Sequence, residues 1–263
     1  MSTIPDYHIH TKASPDAKGS MEEYVRAAKK KNISEIGFSE HILLRQVEGF
    51  SGFSVHLMPT YVRELFTLRE RSELPIKLGV EVDFFLYEIE SIREFVQKHP
   101  FDYILGGIHT IGEWVIDNPS SIVEHTKRDP SQCYCEYFDL VKQLSRCRIF
   151  DVLAHPDLIK IFGMVPKEDF LSVLRDAADE IAKSNICAEI NTKGLRGPCQ
   201  EIFPSSQFLK ILYSYNVPIV FGSDAHEPRE IGYNFRLAAK LAKKAGYTHV
   251  CTFDSRERSF VKI

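Results

Sequence analysis

The sequence predicts an α/β protein in which parallel strands alternate with helices around a barrel. Short apolar segments rich in β-branched residues recur between longer segments whose apolar residues repeat every three or four positions. Seven such repeats, with strands that are largely apolar on both faces, fit a closed or nearly closed βα barrel better than an open sheet. No linker, low-complexity tract or charge run interrupts the sequence, so we expect one domain over residues 1–263.

The elements can be assigned in chain order from these two periodicities. The predicted strands are Tyr7–His10, Glu35–Ser39, Ile76–Val82, Tyr103–Ile108, Phe150–Ala154, Cys187–Ile190 and Pro218–Gly222, with Thr248–Phe253 as an additional candidate. The predicted helices are Met21–Lys31, Tyr61–Arg71, Ile89–Lys98, Tyr134–Ser145, Lys167–Lys183, Ser206–Tyr215 and Asn234–Ala245. Two segments that carry Gly, Pro or Ser without clear periodicity are predicted to be long functional loops, Leu43–Pro59 and Gly112–Pro130.

Composition and charge argue against several classes of protein. Hydrophobic residues make up 44% and charged residues 26%, with a formal net charge of -3, which is ordinary for a soluble globular protein and gives no basic excess for nucleic acid. No apolar run approaches the roughly 20 residues that span a bilayer, and no signal-peptide pattern is visible, so we expect a cytoplasmic protein. The six cysteines lack C-x-x-C spacing and are expected to be reduced.

Ionisable side chains follow the C-terminal ends of the predicted strands. The first strand ends in His8 and His10, which the two-residue period places on the same side, where both can bind one ion. The later strands lead into further imidazoles and carboxylates, namely Glu40, His41, Glu81, His109, His155, Asp224 and His226. In a βα barrel all these ends meet at one rim, where the catalytic groups of such folds lie.

A shared metal centre is the interpretation that explains this pattern. Any one of these histidines alone is more often an ordinary core or loop residue, but burying so many imidazoles and carboxylates together is costly without a cation. Imidazole and carboxylate ligands without thiolates suit Zn, Mn or Fe. The side chains are more numerous than one ion needs, so we expect two or three ions, with Glu81 as the bridging carboxylate.

In the order of these residues the chain resembles the PHP family, named for polymerase and histidinol phosphatase. The resemblance rests on His8, His10, Asp16, His41, Glu81, His109, His155, Asp224 and His226. It implies a PHP fold, a distorted seven-stranded (β/α)7 barrel similar to a TIM barrel, with a trinuclear site. By this resemblance one ion is bound by His8, His10, Glu81 and Asp224, a second by Glu81, His109 and His155, and a third by Asp16, His41 and His226.

Two further stretches are similar to the histidinol-phosphate phosphatase branch of this family. They are residues 189–196, followed by 201–205, and residues 109–114, which lead to Asp117. The resemblance therefore implies a phosphatase that converts L-histidinol phosphate to L-histidinol and phosphate in histidine biosynthesis. The expected partner is this small phosphate monoester, and neither nucleic acid nor a membrane is expected.

The predicted chemistry is attack on phosphorus by hydroxide that the metal ions generate from water. Asp224 and His226 are the candidates for proton transfer, although an imidazole that binds metal is a poor general base. The sequence alone therefore does not decide which of the two acts as acid and which as base.

Substrate contacts are predicted from position and charge. Arg196, just after the sixth strand, is placed to hold phosphate in a bidentate grip, with a surface position as the alternative, and Lys193 is a further candidate. Ser205 precedes a predicted helix, either as a plain N-cap or as part of an anion site. Glu113 and Asp117 are candidates for the amine and the imidazole of the substrate.

Three other functions stay open at this stage. Another PHP phosphoesterase, acting on nucleotides or nucleic-acid ends, would share the ligands, although the missing basic excess disfavours it. A non-catalytic module would bind metal without turnover, yet a decayed site is expected to lose ligands. An amidohydrolase-like C–N hydrolase also uses an H-x-H pair, but it normally has a carboxylated lysine that finds no place in this sequence.

Overall fold

A parallel sheet of seven strands lies at the centre of the molecule. The computed structural model describes residues 4–263. In chain order its strands are β1 (Ile36–Phe38), β2 (His41–Ile42), β3 (Ile76–Asp83), β4 (Tyr103–Gly107), β5 (Thr110–Ile111), β6 (Trp114–Val115), β7 (Val152–Leu153), β8 (Cys187–Asn191), β9 (Ile219–Gly222), β10 (His249–Asp254) and β11 (Glu257–Lys262). The large sheet has the order β1-β3-β4-β7-β8-β9, with β2 also paired to β3. Every pairing in it is parallel, which confirms the predicted fold class.

Helices connect these strands and bury one apolar face each. They are α1 (Met21–Lys31), α2 (Met58–Arg71), α3 (Ile89–Gln97), α4 (Ile122–Lys127), α5 (Pro130–Arg146), α6 (Leu171–Ser184), α7 (Ser206–Ser214) and α8 (Phe235–Ala245). Helix α1 shows why the periodicity was informative: Ser20 and Glu23 form a reciprocal capping box, and Asn32 ends the helix in the left-handed conformation. Its buried Met21 and Tyr24 lie three positions apart on the core face.

Residues 6–10 close the sheet into a barrel. The backbone N–H of Tyr7 donates to the carbonyl of Phe221 at 3.0 Å, while the N–H of Gly37 donates to the carbonyl of Asp6 at 2.8 Å. The extended segment thus bonds to the first and the last strand of the sheet at once. The predicted strand Tyr7–His10 is present as isolated parallel bridges at Asp6 and Ile9 instead of a continuous ladder.

A separate antiparallel hairpin, β10 with β11, covers one end of the barrel. The ring of Phe253 packs on those of Tyr7 and Tyr103 at centroid distances of 6.0 and 6.1 Å. Next to it, Asp102 accepts a hydrogen bond from the N–H of Ser255. Because Asp102 directly precedes β4, the hairpin lies at the N-terminal ends of the barrel strands, here called the closed end. The additional strand predicted at Thr248–Phe253 therefore exists, but it lies outside the barrel.

The two long segments predicted as loops differ from each other. Leu43–Pro59 is largely irregular, with a short 3-10 turn at Val55–Leu57 before α2 begins. The expectation of a loop over Gly112–Pro130 is wrong in part, because β6, a 3-10 turn and α4 lie within it. A six-residue helix and a two-residue strand are too short to show a periodic pattern in the sequence. Within residues 4–263, no helix is both long and apolar enough to cross a membrane.

Candidate metal centre

The C-terminal ends of the barrel strands meet at one rim, opposite the closed end. The structure brings all nine sequence-predicted ligands together there, from residues 6–10, the loop after them, β2, β3, and the segments that follow β4, β7 and β9. Most are fully buried, with His8, His10 and Glu81 at 0% exposure. These nine side chains, here called the rim cluster, are His8, His10, Asp16, His41, Glu81, His109, His155, Asp224 and His226.

Glu81 occupies the middle of the rim cluster. Its Oε2 atom lies 3.0 Å from Nε2 of His8 and 2.8 Å from Nδ1 of His41. Its Oε1 atom lies 2.8 Å from Nε2 of His155 and 3.6 Å from Nε2 of His109. Each carboxylate oxygen thus faces a different set of imidazoles, which is the arrangement that a carboxylate shared between two ions requires.

Asp224 forms a second acidic point on the open side of the cluster. Its Oδ1 atom lies 3.5 Å from Nε2 of His10 and 3.4 Å from Nδ1 of His226. The other ring nitrogen of His226 lies 3.3 Å from Oδ2 of Asp16. Asp224 has a positive φ of 52°, a strained conformation for a non-glycine residue, and such strain is concentrated at functional sites.

Two glycines make room for the central carboxylates. A Cβ atom at Gly107 would lie 2.8 Å from Oε1 of Glu81, and one at Gly222 would lie 1.7 Å from Oε1 of Glu189. Neither position can carry a larger residue without displacing a carboxylate. At these two positions β4 and β9 therefore approach the cluster with no side chain in between.

The donor set fits divalent metal ions. Three groups of donor atoms lie within 4.8 Å of one another: His8, His10 and Glu81; His41, Glu81 and His109; His10, His41 and His226. Both ring nitrogens of His10 and Nδ1 of His155 are buried. Within residues 4–263, none of these three atoms has a hydrogen-bond partner. Buried polar atoms without partners are costly, and imidazole nitrogens beside carboxylates are ligands for Zn, Mn and Fe. The cluster is therefore built for cations.

Three polar residues that contact the cluster are not among the site residues predicted from the sequence. Asp83 lies 2.6 Å from Nδ1 of His109, and Glu189 lies 2.7 Å from Nδ1 of His8. Asn191 donates from Nδ2 to Asp224 at 3.2 Å and to Glu189 at 3.0 Å. A carboxylate on the far nitrogen of a histidine fixes its tautomer and orientation. The spacing of Asp83, two residues after Glu81 on the same face of β3, was a signal that could have identified it.

Glu81 and the imidazoles around it shift each other's pKa values. Although burial opposes ionisation, the imidazoles of His8, His41 and His109 hold the pKa of Glu81 well below its usual range. Burial likewise lowers the pKa of His109, but Asp83 and Glu81 outweigh it and raise that pKa to about 10. The Glu81 carboxylate therefore stays ionised although it is buried.

Arg196 and Lys193 border the open side of the cluster, as predicted from their position after β8. One terminal nitrogen of Arg196, NH2, donates to the carbonyls of Ser223 and Asp224 at 2.9 and 2.8 Å. The other, NH1, is buried and has no hydrogen-bond partner in the described part of the chain. Nζ of Lys193 lies 3.4 Å from Oδ1 of Asp224, whose charge raises the pKa of Lys193 although burial opposes it.

The other predicted substrate residues lie in different surroundings. Ser205 is the N-cap of α7, accepting from the N–H of Phe208. Asp117 is half-buried in the segment after β6, and its charge, together with that of Asp224, raises the pKa of Lys193 although burial opposes this. Glu113 is exposed and forms an ion pair with Arg45 at 2.8 Å, so the structure does not bring it to the metal ligands.

Comparisons with known proteins agree with this geometry. The sequence profile described as PHP domain matches residues 6–193. A probable histidinol-phosphatase from Deinococcus radiodurans is 29% identical over 249 residues, 94% of this chain and 95% of the relative. Another from Clostridium acetobutylicum is 32% identical over 250 residues, 90% and 92% of the two chains. The crystal structure of a histidinol phosphate phosphatase from Lactococcus lactis, complexed with zinc, L-histidinol and phosphate, superposes with a TM-score of 0.86 at 23% identity, covering 98% of this chain and 99% of that one.

Proposed function

The chain belongs to the PHP domain family, and on this premise we propose that it hydrolyses L-histidinol phosphate to L-histidinol and phosphate with the aid of divalent metal ions. The rim cluster supports hydrolysis of a phosphate monoester, and the relatives named histidinol-phosphatases support the substrate. The proposal depends above all on Glu81, whose two oxygens face imidazoles on both sides at 2.8 Å.

The rim cluster would hold two or three ions, with Glu81 between them. Zinc is bound in the structure of the Lactococcus relative, which supports zinc as the metal of this protein. The imidazole and carboxylate donors also suit Mn and Fe. Such ions neutralise phosphate oxygens and turn water into a nucleophile near neutral pH. Asp83 and Glu189 fix the imidazoles of His109 and His8 so that the opposite nitrogens point into the cluster.

Positively charged side chains receive the phosphate in this proposal. Arg196 is held through NH2 by two backbone carbonyls, which leaves the buried NH1 to donate to a phosphate oxygen. Lys193 provides a second cation next to Asp224. Ser205, at the N-terminus of the nine-residue α7, offers its hydroxyl, while its backbone N–H already donates to Asp157 at 2.8 Å. Asp117, with Glu113 on the outer side, would receive the cationic amine and imidazole of the substrate.

We assign proton transfer to Asp224 and His226. The side chain of His226 is 17% exposed whereas that of Asp224 is 1% exposed, so the pair links the buried cluster to the open side of the rim. Their atoms Oδ1 and Nδ1 lie 3.4 Å apart. Because Nε2 of His226, beside Asp16, would hold an ion, the proton for the leaving alkoxide would pass through Asp224, and Nδ1 of His226 would orient that carboxylate.

The test is a comparison of substrates. Phosphate release is measured with purified protein supplied separately with Zn²⁺, Mn²⁺ and Fe²⁺, from L-histidinol phosphate and from AMP. We expect kcat/KM for L-histidinol phosphate to exceed that for AMP by about a hundredfold or more, because a site built for a cationic amine discriminates against a neutral nucleoside. Equal values for the two compounds would reject the substrate assignment.

The same preparation separates the alternatives. Degradation of single-stranded DNA would favour a phosphoesterase acting on nucleic acid. A fully metal-loaded protein that turns over no phosphoester would be a binding module.

A further inference from the structure

Glu40 is a buried carboxylate next to the rim cluster that none of the proposed steps uses. It is 2% exposed and directly precedes His41. Among the described residues it belongs to none of the groups whose atoms could hold a metal ion. Its oxygens instead accept hydrogen bonds from the backbone N–H of Thr11 at 3.0 and 3.1 Å, from the hydroxyls of Thr11 and Ser14, both at 2.7 Å, and from Tyr61 at 2.9 Å.

Most of these donors belong to the short segment 11–16, which joins His10 to Asp16. The segment contains turns without helix or strand, and its internal backbone bonds are few, such as Ser14 N–H to the carbonyl of Thr11 at 2.9 Å. Thr11 and Ser14 are nevertheless buried, at 2% and 1% exposure, with their hydroxyls on Glu40. The carboxylate thus holds an otherwise irregular segment at both of its hydroxyl side chains.

We infer that Glu40 is the positioning residue for Asp16: by anchoring segment 11–16 it keeps the Asp16 carboxylate beside His226, where the two side chains lie 3.3 Å apart. Asp16 is the most exposed member of the rim cluster, with its side chain 47% exposed, so packing restrains it little. Its position depends on the backbone on either side, which is anchored by Glu40 before it and by the N–H of Lys18, bonded to the carbonyl of His226 at 2.7 Å, after it. Glu40 therefore sets how tightly the ion on this open side is held. The inference rests on the proposed metal centre.

A purely structural role for Glu40 would have a different signature. The hydroxyl of Tyr61, on α2, binds the same carboxylate from outside segment 11–16. If Glu40 mainly ties α2 to the barrel, losing the Tyr61 hydroxyl should matter as much as losing the Ser14 hydroxyl. If it positions Asp16, the loss of Ser14 should affect the metal and the loss of Tyr61 should not.

The experiment compares Ser14→Ala with Tyr61→Phe, since each removes one hydroxyl from the same carboxylate. Wild type and variants are loaded with Zn²⁺, their zinc content is determined by elemental analysis, and zinc release to a chromogenic chelator is followed in time. We expect Ser14→Ala to release its most labile zinc about tenfold faster than wild type, the lower range for an outer partner of a ligand. Tyr61→Phe should release zinc at the wild-type rate, whatever its effect on the melting temperature.

Asp16→Asn completes the design. It should accelerate release of the same zinc fraction, and the double variant Ser14→Ala with Asp16→Asn should be no faster than Asp16→Asn alone, because both changes act on one ion. Additive effects, or equal release rates for Ser14→Ala and Tyr61→Phe, would overturn the positioning role while leaving the metal centre intact. Wild-type protein that takes up no zinc would overturn the metal centre itself.

Discussion

The closed end and the rim of the barrel both bury carboxylates, and the groups that surround these carboxylates differ. At the closed end, Asp102 accepts hydrogen bonds from the backbone N–H groups of Leu78 and Ser255 and pairs with Arg69. At the rim, the partners of Glu81 are imidazoles, and the neighbouring His10 makes no hydrogen bond within residues 4–263.

One guanidinium group from each end, Arg256 and Arg196, shows the same contrast. Arg256, at the closed end, donates to Asp151 at 3.0 Å and to the carbonyl of Ile149 at 2.6 Å. Arg196, at the rim, uses NH2 on two carbonyls and keeps NH1 without a partner. Asp102 and Arg256 thus find their partners within the protein, whereas His10 and NH1 of Arg196 do not and need further groups to satisfy them. Substitutions at the closed end should therefore lower stability and leave activity unchanged, whereas substitutions at the rim should lower metal binding or activity.

The largest effect should follow Glu81→Ala. Without this carboxylate the imidazoles on both sides lose their shared partner, so we expect the protein to lose bound metal. Phosphate release should fall by more than the roughly hundredfold loss that follows removal of a residue that only hydrogen-bonds to a metal ligand. Metal content by elemental analysis and initial rates measure this. Unchanged metal stoichiometry would contradict the bridging position, provided that circular dichroism shows a folded protein.

Arg196→Ala should come next. Removing a guanidinium that donates to phosphate should raise KM by roughly tenfold to a hundredfold, the worth of a charged hydrogen bond. Metal content should stay at the wild-type level, because Asp224 is also held by Asn191. The matched variant Arg256→Ala, at the closed end, should leave KM unchanged. A normal KM for Arg196→Ala would remove this residue from the substrate contacts.

A smaller effect is expected for Asp83→Asn. The amide oxygen can still accept from Nδ1 of His109, but it carries no charge, so the metal affinity should fall by about tenfold, the lower range for such partners. Equilibrium dialysis against zinc buffers measures the affinity. An affinity equal to that of wild type would show that the Asp83 charge plays no part in metal binding.

The smallest effect on activity should belong to Asp102→Ala, which leaves two backbone N–H groups without their acceptor. We expect a loss of about 1–3 kcal/mol in the free energy of unfolding, the usual cost of unsatisfied buried donors. Denaturant titration measures that loss, and kcat/KM of the folded variant should equal the wild-type value. A drop in kcat/KM would show that the closed end also contributes to activity, contrary to the assignment of activity to the rim.

Much of this arrangement could be predicted from the sequence because it depends on local periodicity. The prediction of helix Met21–Lys31 is confirmed at both ends, since its caps and its apolar spacing are all local. The strand ends that carry His8, Glu81 and Asp224 were identifiable because ionisable residues directly follow buried apolar runs.

The remainder depends on contacts between residues far apart in the chain. Glu189 reads as one polar residue in a buried strand, and only its contact with His8, 181 positions earlier, shows what it does. The strand β11, Glu257–Lys262, is largely exposed and polar, so its pairing with β10 could not be recognised from hydrophobic pattern. The short helix α4 escaped detection because six residues hold fewer than two turns.

Metal removal and restoration tests the central claim most directly. Protein treated with a chelator and then dialysed is assayed for phosphate release from L-histidinol phosphate, before and after stepwise addition of Zn²⁺, with bound zinc measured in parallel. The account predicts a metal-free protein that is folded but inactive, and activity that returns in proportion to bound zinc. Full activity in protein shown to contain no metal would contradict it.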